Sequence, residues 1–197
     1  MLILVRHGRT ALNAAGQLQG RLDANLDDLG QWQAARLAGV LGGISAVVSS
    51  PLARARQTAA AIAQGRPIQV DERWTELDYG DLDGRRITDV GGDTWHRWRT
   101  DADFEPPGGE SLATLDRRVR SACEQLCQRA TEGDVVVVSH VSPIKAAVCW
   151  AVGTDVSVSW RVRLDTASIT RIGIGPRGPM LYSFNETLHL LDPPAEG

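Results

Sequence analysis

Lysine is nearly missing from this chain of 197 residues, in which Lys145 is the only one. The chain has 21 basic and 24 acidic residues, so its formal net charge is −3. It therefore lacks the basic excess that is typical of proteins that bind nucleic acids through the phosphate backbone. We expect no nucleic-acid partner.

Cysteine is also scarce, with three residues at Cys123, Cys127 and Cys149. An odd number does not indicate a disulfide framework, and we interpret Cys123 and Cys127 as small buried hydrophobic residues on one helix face. Long apolar runs are missing as well. The N-terminal run covers residues 1–5 without a basic region before it, too short for a bilayer span. We expect no secretory signal, no membrane partner and a cytoplasmic protein.

A hydrophobic content of 43% with 23% charged residues is typical of a folded domain. No linker, repeat or low-complexity block divides the chain, so we predict one domain over residues 1–197. Residues 192–197 are expected to form a loose tail. An exposed strand edge near the C-terminus is available for pairing with a second copy, so a homodimer is among the expectations.

Short apolar runs alternate with helical periods along the first three quarters of the chain. The patterns predict strands at residues 2–5, 44–49, 68–70 and 134–139, and helices at 26–41, 50–64, 111–127 and 143–152. A short helix is expected around Trp95 and Trp98, and further strands at 160–164, 168–174 and 180–184. This order predicts an α/β fold, with a mainly parallel sheet that is covered on both faces and partly antiparallel near the C-terminus.

The ends of three predicted strands carry residues suited to chemistry. Arg6 and His7 follow the first strand, Arg54 lies one turn into the helix after the second, and His140 follows the strand at 134–139. Because the carboxyl ends of parallel strands meet at one edge of a sheet, we expect these four side chains to converge.

Such a cluster would bind an anion. Arginine forks hold phosphate oxygens, and the helix N-termini after Pro51 and His140 add N–H groups. Gly8 is expected to let the backbone approach a ligand closely. A neutral histidine at the centre can attack phosphorus as a nucleophile. The sequence contains neither the HxH nor the HExxH pattern that is typical of metallohydrolases. We therefore predict no metal and no cofactor.

Several ordered motifs strengthen this interpretation. They are LVRHGRTALN at residues 4–13, SSPLARARQTA at 49–59, ELDYGDLDG at 76–84, PGGES at 107–111 and VSH at 138–140. Together they resemble the histidine phosphatase superfamily, the phosphoglycerate-mutase-like proteins, and in particular its phosphatase branch. The chain departs from the family at Val141, where many members have glycine. The resemblance implies a three-layer αβα sandwich with a mainly parallel mixed sheet.

The resemblance also implies roles for individual residues. His7 is expected to become a phosphohistidine, and Glu76 to protonate the leaving group and then to activate water. His140 completes the predicted catalytic set. The predicted phosphate- and substrate-binding residues are Arg6, Gly8, Asn13, Gln19, Gly20 and Arg54. Residues 76–110 are expected to form a variable segment that covers the substrate.

The implied activity is a metal-independent phosphomonoesterase that acts on a small phosphorylated metabolite. The first alternative is a phosphoglycerate mutase that depends on 2,3-bisphosphoglycerate. Leu77 and Asp78 stand where a mutase would have a basic residue beside its acid, which favours the phosphatase. The second alternative is a binding module with a degenerate phosphate site.

Two further groups of residues, the arginine pairs and the aromatic residues, each have two alternative interpretations. A mutase also needs an arginine pair for the substrate carboxylate, and the two pairs in question are Arg85-Arg86 and Arg117-Arg118. We interpret the second pair as a solvated helix face. The aromatic residues Trp74, Trp95, Trp98 and Phe104 form either an apolar wall for an organic substrate or a small separate core. We assign no role in the site to His96 or His189.

Overall fold

Six strands form one mixed sheet in the computed structural model, which describes residues 1–191 and 193. The strand order is β3-β2-β4-β1-β5-β6. The strands are β1 Leu2–Arg6, β2 Ile44–Ser49, β3 Ile68–Val70, β4 Asp134–Ser139, β5 Ile169–Gly175 and β6 Gly178–Glu186. The first four in spatial order are parallel, whereas β5 runs antiparallel to both β1 and β6. Except for residue 193, the predicted tail lies outside the described residues.

The two central strands are apolar on both faces because helices cover both sides of the sheet. In the parallel β1–β4 pair, Leu4 lies opposite Val137 and Val5 opposite Val138. Leu4 and Val137 belong to one core cluster, and Val5 and Val138 to another on the opposite face. Successive side chains of a strand point to opposite faces, so one valine-rich run supplies both cores.

Helices form the outer layers and confirm the predicted three-layer αβα sandwich. They are α1 Ala11–Ala14, α2 Asp28–Val40, α3 Ala53–Ala63, α4 Gly92–Thr100, α5 Leu112–Glu132 and α6 Val141–Ala151. Helices α2 and α3 supply Leu37, Ala59 and Ile62 to one core, and α5 and α6 supply Leu115 and Ile144 to the other. Within the part of the chain that the structure describes, no helix is long and apolar enough to cross a membrane.

Some predicted elements are wrong in type or in bounds. The strand expected at 160–164 does not form. Residues 160–161 end the 3-10 turn Val156–Arg161, where the indole of Trp160 packs against Trp95 and Trp98, and residues 162–164 have no regular secondary structure. Pro51 precedes α3, which begins at Ala53 after the N-cap Leu52. The strands predicted at 44–49, 68–70 and 134–139 match the observed bounds.

Residues 76–110, which we call the cap segment, form 3-10 turns at Gly80–Leu82 and Ile87–Asp89 and the helix α4. Val90, Trp98 and Phe104 belong to a third cluster, whereas Leu77 belongs to a core of the sandwich. Tyr79 packs against both clusters. The segment is joined to the loop at residues 16–22. The carboxylate of Asp83 accepts hydrogen bonds from the backbone N–H of Gly20, Arg21 and Leu22.

Candidate active site

His7 and His140 lie side by side at the carboxyl ends of β1 and β4, as the strand order requires. Their ring centroids are 5.0 Å apart, and both side chains are buried. The backbone N–H of His7 donates to the carbonyl of Ser139 at 3.0 Å, which extends the β1–β4 pairing into the site. The expected convergence of the two histidines is therefore observed.

The contacts of His7 define which ring nitrogen is available for chemistry. Nδ1 lies 2.7 Å from the carbonyl oxygen of Gly8 and donates its proton to it. Nε2 therefore keeps a lone pair, and Nε of Arg54 approaches it at 3.2 Å as a donor. Burial and the charges of Arg54 and Arg6 hold the pKa of His7 well below its ordinary value, so the ring is neutral.

Arg54 also contacts His140, but there the unprotonated ring nitrogen is Nδ1 instead of Nε2. Nε of Arg54 donates to Nδ1 of His140 at 3.2 Å, and Nε2 of His140 donates to Oγ of Ser50 at 2.7 Å. Burial first, and then the charge of Arg54, lower the pKa of His140 well below its usual value. One N–H group thus lies between two neutral imidazoles.

The rest of the Arg54 guanidinium is fixed by backbone carbonyls. Nη1 donates to the carbonyl of Leu22 at 2.9 Å, and Nη2 donates to the carbonyls of Gly20 at 2.8 Å and Gln19 at 3.3 Å. Arg54 is fully buried. A cation held by neutral carbonyls keeps its charge available to an anion that enters beside it.

Two buried donors beside the histidines have no hydrogen-bond partner among the described residues. They are Nε of Arg6 and Nε2 of Gln19. Arg6 is anchored by Nη1 on the carbonyl of Leu164 at 2.7 Å, and burial lowers its pKa to about 10. Oε1 of Gln19 accepts from Thr10 at 2.8 Å and from Asn13 at 3.3 Å, so its amide nitrogen is left over. Unpaired buried donors are costly, and an oxyanion would satisfy both.

Glu76, the third predicted catalytic residue, lies against the N-terminus of α6. Its carboxylate accepts from the backbone N–H groups of Leu77 at 2.8 Å, Val141 at 3.1 Å and Ser142 at 3.1 Å. Its side chain is 3% exposed, so this surface-prone residue type lies inside the site. The free N–H groups of the helix end hold the carboxylate in place.

Sequence reasoning missed the residues that hold Glu76 from behind. Arg118 on α5 donates to the carbonyls of Arg73 at 2.6 Å, Thr75 at 2.7 Å and Glu76 at 3.3 Å. Oγ of Ser139 donates to the carbonyl of Trp74 at 2.6 Å, so four consecutive carbonyls are held.

The interpretation of Arg118 as part of a solvated face is therefore wrong, whereas its neighbour Arg117 is exposed. The available signal was helical spacing. Arg118 lies three residues after Leu115 and four before Ala122, both buried, so all three share one helix face.

A cleft of about 260 Å³ opens beside these groups. It is lined by Arg6, His7, Asn13, Gly16, Gln17, Leu18, Gln19, Glu76, Tyr79, Ile87, Trp95 and Val141. The four aromatic residues that were expected to form either an apolar wall or a separate core do not all lie in the same place. Trp95 lines the cleft, Trp98 and Phe104 form the separate cluster, and Trp74 lies in a core of the sandwich.

Gly8 and Gly20 have structural reasons of their own. A Cβ on Gly8 would lie 2.4 Å from the carbonyl oxygen of Gly30, so the close packing of the backbone against α2 requires a glycine. A contact of Gly8 with a ligand stays a prediction. A Cβ on Gly20 would lie 2.6 Å from the carbonyl oxygen of Leu77. Gly20 instead reaches the site through its carbonyl, which holds Arg54.

The remaining histidines lie away from the cleft. His96 is exposed, and Nε2 of His189 lies 3.0 Å from the carbonyl oxygen of Ala167. Across residues 1–191 and 193, no group of three or more His, Cys, Asp or Glu residues could hold a metal ion.

Comparison with known proteins agrees with this geometry. A family model of the histidine phosphatase superfamily (branch 1) matches residues 2–187. Phosphoserine phosphatase 1 of Hydrogenobacter thermophilus is 36% identical over 197 residues, covering 96% of this chain and 93% of that protein. A probable phosphoglycerate mutase GpmB of Erwinia tasmaniensis is 31% identical, covering 86% of this chain and 82% of that protein. Other curated relatives, 38% identical, are longer, and the chain spans about half of their length, 49%.

A solved structure shows the same fold. It is a mutant phosphoserine phosphatase from Entamoeba histolytica in complex with phosphoserine, with a TM-score of 0.90 and 29% identity. The match covers 96% of this chain and 98% of that chain. The protein belongs to the histidine phosphatase superfamily, branch 1, as its motifs indicated.

Proposed function

We propose that this protein is a metal-independent phosphomonoesterase that acts on a small phosphorylated metabolite through a phosphohistidine at His7. The observation that carries the proposal is the state of Nε2 of His7. It is the unprotonated nitrogen of a neutral ring and lies 3.2 Å from Nε of Arg54. Unpartnered donors of Arg6 and Gln19 lie in the same cleft, where phosphoryl oxygens would satisfy them.

In the first step, Nε2 of His7 attacks phosphorus, the N–P bond forms, and the ester P–O bond breaks. Arg6, Arg54 and His140 neutralise and position the phosphoryl oxygens, with Asn13 and Gln19 at the rim of that group. Glu76, in its acid form, gives its proton to the leaving alcohol oxygen.

In the second step, Glu76 as a carboxylate takes a proton from water, which attacks the phosphohistidine. The N–P bond breaks, inorganic phosphate leaves, and His7 returns to its neutral state. The cap segment covers the alcohol part of the substrate in this proposal, within a single domain formed by the whole chain. A cytoplasmic location and a homodimer stay predictions.

A chromogenic aryl phosphate tests the proposal. Hydrolysis is expected to survive excess EDTA and to fall by at least about 10³-fold in His7→Ala, because the covalent route is lost. His96→Ala is the matched control, since His96 is exposed and lies outside the cleft. Near-normal turnover in His7→Ala, or loss of turnover with EDTA, would contradict the proposal.

A mutase is the second candidate, because a probable phosphoglycerate mutase is among the relatives. A mutase would isomerise 3-phosphoglycerate with 2,3-bisphosphoglycerate present, faster than it hydrolyses any ester. A binding module would bind inorganic phosphate without turnover. The expected result is hydrolysis that outpaces isomerisation under the same conditions.

A further inference from the structure

We infer that Asp83 of the cap segment is a positioning residue for the reaction. Through residues 19–22, which we call the bridging loop, it orients the guanidinium of Arg54 toward the phosphoryl group. The inference rests on the proposed function, because Arg54 is one of the groups that hold the phosphoryl oxygens there. Asp83 is not among the residues that line the cleft, so it acts only through Arg54.

The carboxylate of Asp83 holds one side of the bridging loop. Oδ1 accepts a hydrogen bond from the backbone N–H of Gly20 at 2.7 Å. Oδ2 accepts from the backbone N–H groups of Arg21 at 2.8 Å and Leu22 at 2.9 Å. Three consecutive N–H groups are therefore directed at one carboxylate, and hydrogen bonds to a charged acceptor are about twice as strong as neutral ones.

The guanidinium of Arg54 holds the other side of the same loop. Its Nη2 donates to the carbonyls of Gln19 at 3.3 Å and Gly20 at 2.8 Å. The carbonyl of Gln19 and the N–H of Gly20 belong to one peptide group, as do the carbonyl of Gly20 and the N–H of Arg21. Two successive peptide groups thus lie between Asp83 and Arg54, each with its N–H on the carboxylate and its carbonyl on the guanidinium.

This arrangement transmits direction because a peptide group is rigid. The C=O and N–H bonds point in opposite directions within one planar unit, so fixing the N–H also fixes the carbonyl. Each peptide dipole lies with its positive end toward the anion and its negative end toward the cation, which is the favourable orientation. The charge of Asp83 also acts across the loop. Burial lowers the pKa of Arg54, and nearby carboxylates, Asp83 among them, oppose that shift.

Backbone pairing sets the position of Asp83 beside the bridging loop. The N–H of Gly84 donates to the carbonyl of Leu18 at 2.9 Å, and the N–H of Leu18 donates to the carbonyl of Arg85 at 2.8 Å. Leu18 comes directly before the bridging loop, and Gly84 comes directly after Asp83. The carboxylate therefore faces the N–H groups of the loop without a long flexible connection on either side.

The orientation of Arg54 matters because its Nε donates to both imidazoles of the site. It lies 3.2 Å from Nε2 of His7 and 3.2 Å from Nδ1 of His140. Without the carboxylate of Asp83, three N–H groups lose their acceptor, and the carbonyls that hold the guanidinium can rotate away. Loss of Asp83 should therefore weaken both the binding of the phosphoryl group and its transfer.

Inorganic phosphate is the probe that separates positioning from a tie that only holds the cap segment, because phosphate has no alcohol part to be covered. Asp83→Ala is expected to raise its dissociation constant, measured by isothermal titration calorimetry, about tenfold or more. The kcat/KM for a chromogenic aryl phosphate should fall by at least as much. Asp83→Asn keeps one oxygen acceptor, so it should lie between the wild type and Asp83→Ala, and it serves if Asp83→Ala fails to fold. Asp81→Ala is the matched control, since Asp81 is exposed in the 3-10 turn directly before Asp83.

A double-variant cycle tests the route through Arg54. In an Arg54→Lys background, Asp83→Ala should change the phosphate affinity much less than it does in the wild type, whereas an independent structural effect would be the same in both. A nitrogen–proton NMR correlation spectrum gives a readout without turnover. The Nε–H resonance of Arg54, assigned by its loss in Arg54→Lys, should shift in Asp83→Asn and stay in place in Asp81→Ala.

The outcomes separate this inference from the proposed function. If hydrolysis depends on His7 but Asp83→Ala binds phosphate as the wild type does, Asp83 only ties the cap segment, and the inference is wrong while the phosphatase proposal stands. Additive effects in the cycle, or an unmoved Arg54 resonance, overturn the inference as well. Hydrolysis that persists in His7→Ala overturns the proposed function, whereas the phosphate affinities and the Arg54 resonance still decide whether Asp83 orients Arg54.

Discussion

Arg118 and Glu110 form a two-pronged ion pair behind Glu76, with Nε–Oε1 and Nη2–Oε2 distances of 2.8 Å each. The same guanidinium donates to three backbone carbonyls of residues 73–76. An arginine offers five N–H donors in a planar fork, so it can pair with both oxygens of a carboxylate and still reach several carbonyls, whereas the ammonium of lysine offers three donors from one atom. The pair therefore fixes the backbone from which the proposed acid of the reaction extends.

Arg118→Ala is expected to lower kcat about 10²-fold with little change in KM, because Glu76 shifts while the phosphoryl site is retained. Arg117→Ala on the same helix is the matched control, since Arg117 is exposed. Arg118→Lys should lie between the two. Steady-state kinetics with a chromogenic ester, after circular dichroism has confirmed folding, gives the comparison.

Glu110→Gln provides a second route if Arg118→Ala fails to fold. It weakens the ion pair and leaves the three carbonyl contacts, so a smaller loss in kcat is expected. Equal kcat in Arg118→Ala and Arg117→Ala would show that the clamp does not position Glu76.

A change at Arg6 tests the unpartnered donors. Arg6→Lys keeps the positive charge and loses the buried Nε donor, so the dissociation constant for inorganic phosphate should rise about tenfold or more. Isothermal titration calorimetry measures it directly. Arg85→Lys, an exposed position outside the cleft, is the control and should bind phosphate as the wild type does. Equal affinity in the two variants would exclude Arg6 Nε as a phosphate ligand.

The stability of the protein should fall as the pH falls below about 6.5, the ordinary histidine value. His7 and His140 have lowered pKa values when folded, so in this window the unfolded chain binds more protons than the folded protein does. The free energy of unfolding then rises with pH by up to about 1.4 kcal/mol per pH unit for each histidine.

Urea denaturation at about pH 7 and about pH 5, in buffer without phosphate, measures this slope. The double variant His7→Gln, His140→Gln should have a clearly smaller slope than the wild type, with His96→Gln as the control. A slope unchanged in the double variant would show that the buried histidines are not held neutral.

The sequence predicts the part of the site that follows from strand topology. Arg6, His7 and His140 lie at ends of adjacent parallel strands, so the periodicity of β1 and β4 is enough to bring them together. Arg54 follows from its place in the first turns of α3, just after β2.

The contacts that support Glu76 depend on tertiary packing instead. Arg118 is 42 residues from Glu76 along the chain, and no local pattern pairs them. Likewise, the region around Trp160 has the composition of a strand, but the backbone of Val156–Arg161 forms a 3-10 turn and the indole of Trp160 packs on Trp95 of the cap segment. The close contact of Gly8 with Gly30 could not be predicted either, because it forms only when α2 docks against the end of β1.

The most direct test of the account is to trap the covalent intermediate. Enzyme mixed with a phosphomonoester labelled in its phosphoryl group is quenched within the first turnover in alkali, where phosphohistidine is stable, and its peptides are analysed by mass spectrometry. The account predicts a phosphoryl group on His7 that is lost in acid and absent from His7→Ala. Turnover without a phosphoenzyme, or a label on another residue such as Ser50, would contradict it.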